Sequence, residues 1–156
     1  MLQPKQENRF EYKGFPCVVL FMPMGYRCGY VGLPKENRYY RKKYDDIPVD
    51  CHCGLTYSEN HLFGQDDKDI WWIGFDCGHC FDGIDKNTFN NIYERELLNM
   101  SPVEFRTCMM NFDCMWEISR EYPIRTQEYV ENECRKIVDQ IVGGRASDRT
   151  VDRENN

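Results

Sequence analysis

Polar and apolar positions alternate in short runs through the first half of the chain and recur at helical spacing through the second. Arg9-Phe10-Glu11-Tyr12 alternates, Lys13-Gly14 is a turn signal, and Cys17 to Met22 is a short β-branched and aromatic run. Pro23-Met24-Gly25 marks a second turn, and Tyr26 to Leu33 reads as a third strand, stopped by Pro34. A Tyr- and Lys/Arg-rich connection over 34–47 leads to a strand around Val49–Cys53 and a polar loop over 58–69. Ile70-Trp71-Trp72-Ile73-Gly74-Phe75 is an apolar run suited to a sheet interior. Beyond it the period changes. Phe89, Ile92, Tyr93, Leu97 and Leu98 recur at helical spacing within 87–121, where Ser101-Pro102 starts a second segment. Arg125 to Val142 predicts an amphipathic helix with the apolar line Val130, Cys134, Ile137, Val138 and Ile141, ending at Gly143-Gly144. Strands followed by helices predict an α+β fold: an N-terminal antiparallel sheet with C-terminal helices packed on it. With 156 residues, one domain over 1–144 is expected, with 145–156 as a disordered tail.

Composition narrows the class. The chain is 41% hydrophobic and 29% charged, with 22 aromatic residues, too apolar for a disordered chain. No run approaches the roughly 18 apolar residues of a spanning helix, and Met1 to Gln6 predicts no secretory leader. A net charge of −6 lacks the footprint of a general nucleic-acid binder. Charge is uneven, however. Lys35, Arg38, Arg41, Lys42 and Lys43 form a basic segment, read as a solvated linker, and 59–86 carries seven acids against two lysines, an acidic stretch able to meet a basic partner.

The nine cysteines change the picture most. An odd count without an export signal disfavours a disulfide framework and favours metal or free thiols. Cys51-His52-Cys53 and Cys77-Gly78-His79-Cys80 each end a predicted strand, so a metal site is expected at strand ends. Neutral imidazole and thiolate are a preferred zinc donor set. Strand alternation points Cys77 and His79 the same way and sets Cys51 and Cys53 opposite to His52. Two ligand sets compete. One is His52, Cys77 and His79 closed by Asp82, with Asp46, Cys53 and Cys80 as reserve fourth ligands; the other is Cys51, Cys53, Cys77 and Cys80. Cys17, Cys108, Cys114 and Cys134 lie at apolar spacings and are expected in the core. The Cys-Gly-His-Cys tetrapeptide also matches disulfide isomerases, but Asp82 and Asp85 oppose thiolate formation and no βαβ framework flanks it. A metal-dependent hydrolase would want an open coordination position and a cleft around His79 and Asp82; a closed site favours a binding protein.

Gly29-Tyr30-Val31-Gly32-Leu33-Pro34, Tyr44-Asp45-Asp46-Ile47, His52-Cys53-Gly54-Leu55-Thr56-Tyr57 and Trp71 through His79 together resemble a family of small phage and prophage proteins. The family pattern contains Tyr-Asp-Asp-Ile, His-Gly-Gly-Leu-Thr-Tyr and Trp-Trp-Ile-Gly-Phe-Asp-Cys-Ala-His, then an Asp three residues on. The resemblance covers about residues 25–83, with a weaker echo in the helix over 126–142, and it implies that 85–121 is a helical insertion. It implies His52, Cys77, His79 and Asp82 as the metal set, whereas Cys51, Cys53 and Cys80 depart from the pattern. Asn37-Arg38 stands where members often have His-Pro. The chain looks like a zinc-containing type II-A anti-CRISPR protein. The resemblance thus implies an inhibitor that binds the RNA-guided CRISPR nuclease in the bacterial host cytoplasm and blocks loading of target DNA. No direct contact with nucleic acid or membrane is implied. The alternative is a metal-dependent hydrolase or small-ligand enzyme of phage origin.

Overall fold

The computed structural model describes residues 1–154, with side chains through residue 144. The strands are β1 (Lys5–Tyr12), β2 (Phe15–Phe21), β3 (Arg27–Pro34), β4 (Tyr57–Glu59) and β5 (Ile70–Asp76). The helices are α1 (Lys86–Leu98), α2 (Pro102–Ser119) and α3 (Gln127–Glu154). One antiparallel sheet holds the strands in the order β1-β2-β3-β5-β4, so the fold is α+β as the element order predicts.

The sheet is covered on both faces. Cys17 and Val19 of β2, Val31 and Leu33 of β3 and Ile73 and Phe75 of β5 pack under Val130, Cys134, Ile137, Val138 and Ile141 of α3. That is the predicted apolar line of the helix, and burying each of its aliphatic side chains is worth about 1.5–3 kcal/mol. Val18, Leu20, Tyr30 and Trp72 alternate onto the opposite face with Leu62. A third cluster joins Leu2 and Phe21 to Ile84, Phe89 and Tyr93 of α1 and Phe112 of α2, so the helical segment brings its own small core to one end of the sheet. No helix among the described residues is long and apolar enough to cross a membrane.

Three expectations shift. No strand forms over 49–53: Cys53 (φ +54) and Gly54 (φ +84) take left-handed conformations that break a pleat, and the Gly54 N–H closes a turn on the Cys51 carbonyl at 2.9 Å. The edge strand falls instead at Tyr57–Glu59. Helix α3 runs on through Gly143-Gly144, where a C-terminal stop was expected; the predicted tail at 145–156 lies outside the residues whose side chains are described. Cys114 is exposed and Cys108 half-buried, while Cys17 and Cys134 are buried; none of the nine cysteines is disulfide-bonded.

A buried guanidinium ties the two halves together. Arg27, 4% exposed, donates to Glu7 at 2.6 and 3.0 Å, to Asp85 at 3.0 Å and to the Arg125 carbonyl at 3.1 Å. Asp85 in turn caps α1, accepting the Thr88 N–H at 3.0 Å and the Thr88 hydroxyl at 2.7 Å. Burial pushes the Asp85 carboxyl up, but Thr88 and Arg27 more than offset this and hold it below its ordinary 3.8. Two outcomes follow from this network. Arg27→Met leaves Glu7 and Asp85 without their cation in a dry setting and should cost about 3–5 kcal/mol in urea unfolding. Because the Asp85 pKa is lower folded than unfolded, its stabilisation is present above about pH 4 and fades as pH falls below that toward its folded pKa. Asp85→Asn should therefore flatten the acid limb of stability against pH, and an unchanged limb would refute the assignment.

Candidate metal centre

The turn after β5 is built by its own side chains. The Cys77 N–H makes the last rung, donating to the Arg27 carbonyl at 2.9 Å, and the chain then folds back so that the Asp82 N–H reaches the His79 carbonyl at 3.0 Å. The Asp82 carboxylate closes the same turn from inside, its Oδ2 accepting the His79 N–H at 3.1 Å. Next to it, Gly83 donates to the Pro123 carbonyl at 2.9 Å. A Cβ at Gly83 would lie 2.4 Å from the Tyr122 oxygen, so only glycine lets this turn lie against the approach to α3. That contact sets Arg125 to donate from Nε to Asp82 Oδ1 at 2.9 Å. Thr126 Oγ1 accepts the Tyr129 N–H at 3.1 Å at the start of α3, placing Tyr129 on the first helical turn.

The loop before β4 brings the second imidazole. His52, 8% exposed, meets Asp82, 3% exposed, with Nε2 at 2.9 Å from Oδ2. Its Nδ1 lies 2.9 Å from the Tyr129 hydroxyl. His79 Nδ1 approaches the same Asp82 Oδ2 at 3.0 Å. An ionised carboxylate only accepts, so both imidazole nitrogens facing it carry protons, and in that tautomer His52 Nδ1 accepts a hydrogen bond from the Tyr129 hydroxyl. Burial pushes the Asp82 carboxyl up, yet the donors from His52, Arg125 and His79 hold it below its ordinary value. His79 Nε2 stays outside this network, with Asp76 at 3.8 Å, and the ring stacks on Phe81 at 5.6 Å between centroids.

Of the residues singled out from sequence, His52, His79 and Asp82 come together. Cys77 is not in the group that the ligand atoms form: 1% exposed, it packs in the core beneath α3 and borders the cavity beside His79 and Asp82, and burial raises its thiol pKa far above the ordinary value. Cys53 replaces it. The ligand atoms of His52, Cys53 and His79 all lie within 4.8 Å of one another, a group that can hold a metal ion. Alternation had set Cys53 opposite His52, but the left-handed backbone at Cys53 removes the alternation. Cys51 is half-buried against the α3 core, Cys80 is exposed, and Asp46 sits in a 3-10 turn, Tyr44–Asp46; none joins the group. Tyr129 and Arg125 escaped sequence reasoning. They stand at the head of a helix read only for its apolar line.

The donor set fits a borderline-soft divalent cation better than calcium or magnesium, which prefer oxygen. Asp82, hydrogen-bonded to one nitrogen of each imidazole, holds the position of a carboxylate that orients ligand histidines. Both His52 nitrogens are engaged, so a metal displaces one hydrogen bond there, while His79 offers Nε2 directly. A cavity of about 290 Å³ adjoins the centre, its lining including Cys77, His79 and Asp82 together with the apolar Met24, Ile84 and Ile118.

The acidic stretch over 59–86 does not form one open acidic face. Asp82 and Asp85 turn inward, Asp67 pairs with Arg9 at 2.7 Å, and Asp69 pairs with Lys35 at 3.1 Å. In comparisons with known proteins, no family model, no curated protein and no solved structure matches this chain.

Cobalt separates the two candidate thiols. Loading with Co(II) should produce a thiolate charge-transfer band that Cys53→Ser removes and Cys77→Ser retains, while Cys77→Ser lowers the melting temperature by disturbing the core. A band lost only in Cys77→Ser would return the ligand role to Cys77.

Proposed function

We propose that the protein is a zinc-binding inhibitor that acts on a type II-A RNA-guided CRISPR nuclease, with the zinc in a structural role. The observation that carries the metal reading is the convergence of His52, Cys53 and His79 beside a carboxylate that four donors already engage. Asp82 accepts from His52, the His79 ring and backbone, and Arg125, so it positions ligands and is not free to act as a base. Nitrogen and thiolate donors favour zinc among common divalent ions. Bound there, zinc would join the loop carrying His52 and Cys53 to the turn carrying His79, adding its binding energy to folding.

The inhibitor reading rests on the resemblance of residues 25–83 to the phage family and on the protein's charge. A net charge of −6 favours approach to the basic nucleic-acid channel of an effector, raising the association rate and excluding weaker partners. The contact would be to the effector protein in the bacterial host cytoplasm, with neither nucleic acid nor membrane bound directly. Guide-loaded type II-A nuclease, incubated with excess protein, should fail both to bind and to cleave target DNA. Unimpaired cleavage at about tenfold excess over an effector at working concentration removes this reading and leaves the metal assignment standing.

The cavity beside His79 favours a second reading, a metal-dependent hydrolase acting on a small, largely apolar substrate. It calls for zinc-dependent turnover of ester or phosphoester probes that a chelator stops and that His79→Ala abolishes. No turnover by zinc-loaded protein excludes it for those bonds.

A further inference from the structure

Helix α2 is apolar on two opposite faces, and only one of them is used within the chain. Its inner face carries the buried Phe112 and Ser119 with the half-buried Cys108, Met109 and Trp116. On the opposite side Val103, Met110 and Ile118 are 74%, 67% and 65% exposed. With Thr107 and Cys114, also exposed, they form a line at the steps of three and four residues that keep one helical face in register. A helix apolar on both sides is normally covered on both. From this pattern we propose that the outer face of α2 pairs antiparallel with α2 of a second copy of this chain, making an isologous dimer.

Charge supports a second copy as the occupant and sets its direction. Arg106 and Glu117 lie on the same flank of the apolar line, one near each end, and both are exposed. When two such helices are turned end for end about an axis between residues 111 and 112, that flank meets itself. Arg106 of each copy then faces Glu117 of the other, giving two equivalent ion pairs. The same register carries Val103 toward Ile118 of the second copy and brings the two Met110 side chains together near the axis. In the single chain Glu117 is paired only along its own helix, with Arg120 at 3.2 Å on an exposed surface, a contact that leaves it able to accept a second cation. Asp113 lies on the same flank near the axis, but it is already paired within the chain with Lys86 at 3.3 Å. Of the line, only Ile118 also borders the cavity beside His79, and the proposal does not depend on the nuclease reading.

Sedimentation equilibrium of the full chain under reducing conditions at about 100 µM should give twice the chain mass. Met110→Glu should give a monomer with an unchanged circular dichroism spectrum, since Met110 touches no core cluster. Arg106→Glu and Glu117→Arg should each weaken the dimer by about tenfold, and the double swap should restore it; neither surface change threatens folding. A wild-type monomer at that concentration overturns the proposal. So does a dimer indifferent to Met110→Glu, and a dimer whose strength the double swap does not recover rules out the antiparallel register.

Discussion

The Asp82 carboxylate is the constraint on which the rest of the centre depends. It is almost fully buried, and it stays charged because four donors converge on it from three separate stretches of chain: His52, the His79 ring and backbone, and Arg125. A buried anion without such donors would cost several kcal/mol or take up a proton. The loop before β4, the turn after β5 and the approach to α3 are therefore held at one point. Removing any donor would loosen all three, whatever ion the imidazoles and the Cys53 thiol come to hold.

Arg27 plays the complementary part at the other end of the same turn. As a buried cation it collects Glu7 from β1, Asp85 from the cap of α1 and the carbonyl of Arg125. Only two residues separate Asp82 from Asp85, and each faces a different arginine, so the short segment between β5 and α1 is pinned twice. This arrangement gives irregular chain the fixed geometry that a metal centre needs, while the sheet and α3 supply most of the buried apolar area. The helical pair α1 and α2 is anchored by a smaller cluster, which is why one face of α2 is left outside.

Much of the fold was legible because periodicity is local. The strands β2, β3 and β5 and the apolar line of α3 appear where alternation and helical spacing place them, and burial follows the pattern residue by residue. The site was legible in part. His52, His79 and Asp82 were recognisable as chemistry-bearing residues close in sequence. Which thiol joins them was not, because local alternation implies a pleat through Cys53 that its left-handed backbone breaks.

By itself, the sequence determined the element types, the α+β order, the inward faces of the main strands and of α3, and the set of side chains able to bind a metal. These follow from the spacing of apolar positions and from donor chemistry, both properties of neighbouring residues. Tertiary structure alone decided that Cys77 is core and Cys53 is near the imidazoles, that Tyr129 and Arg125 complete the network, and that five of the seven acids over 59–86 are spent on partners. Those outcomes depend on contacts between segments up to 77 residues apart, such as His52 with Tyr129, and no local pattern encodes which of several equally suitable side chains a distant element will meet.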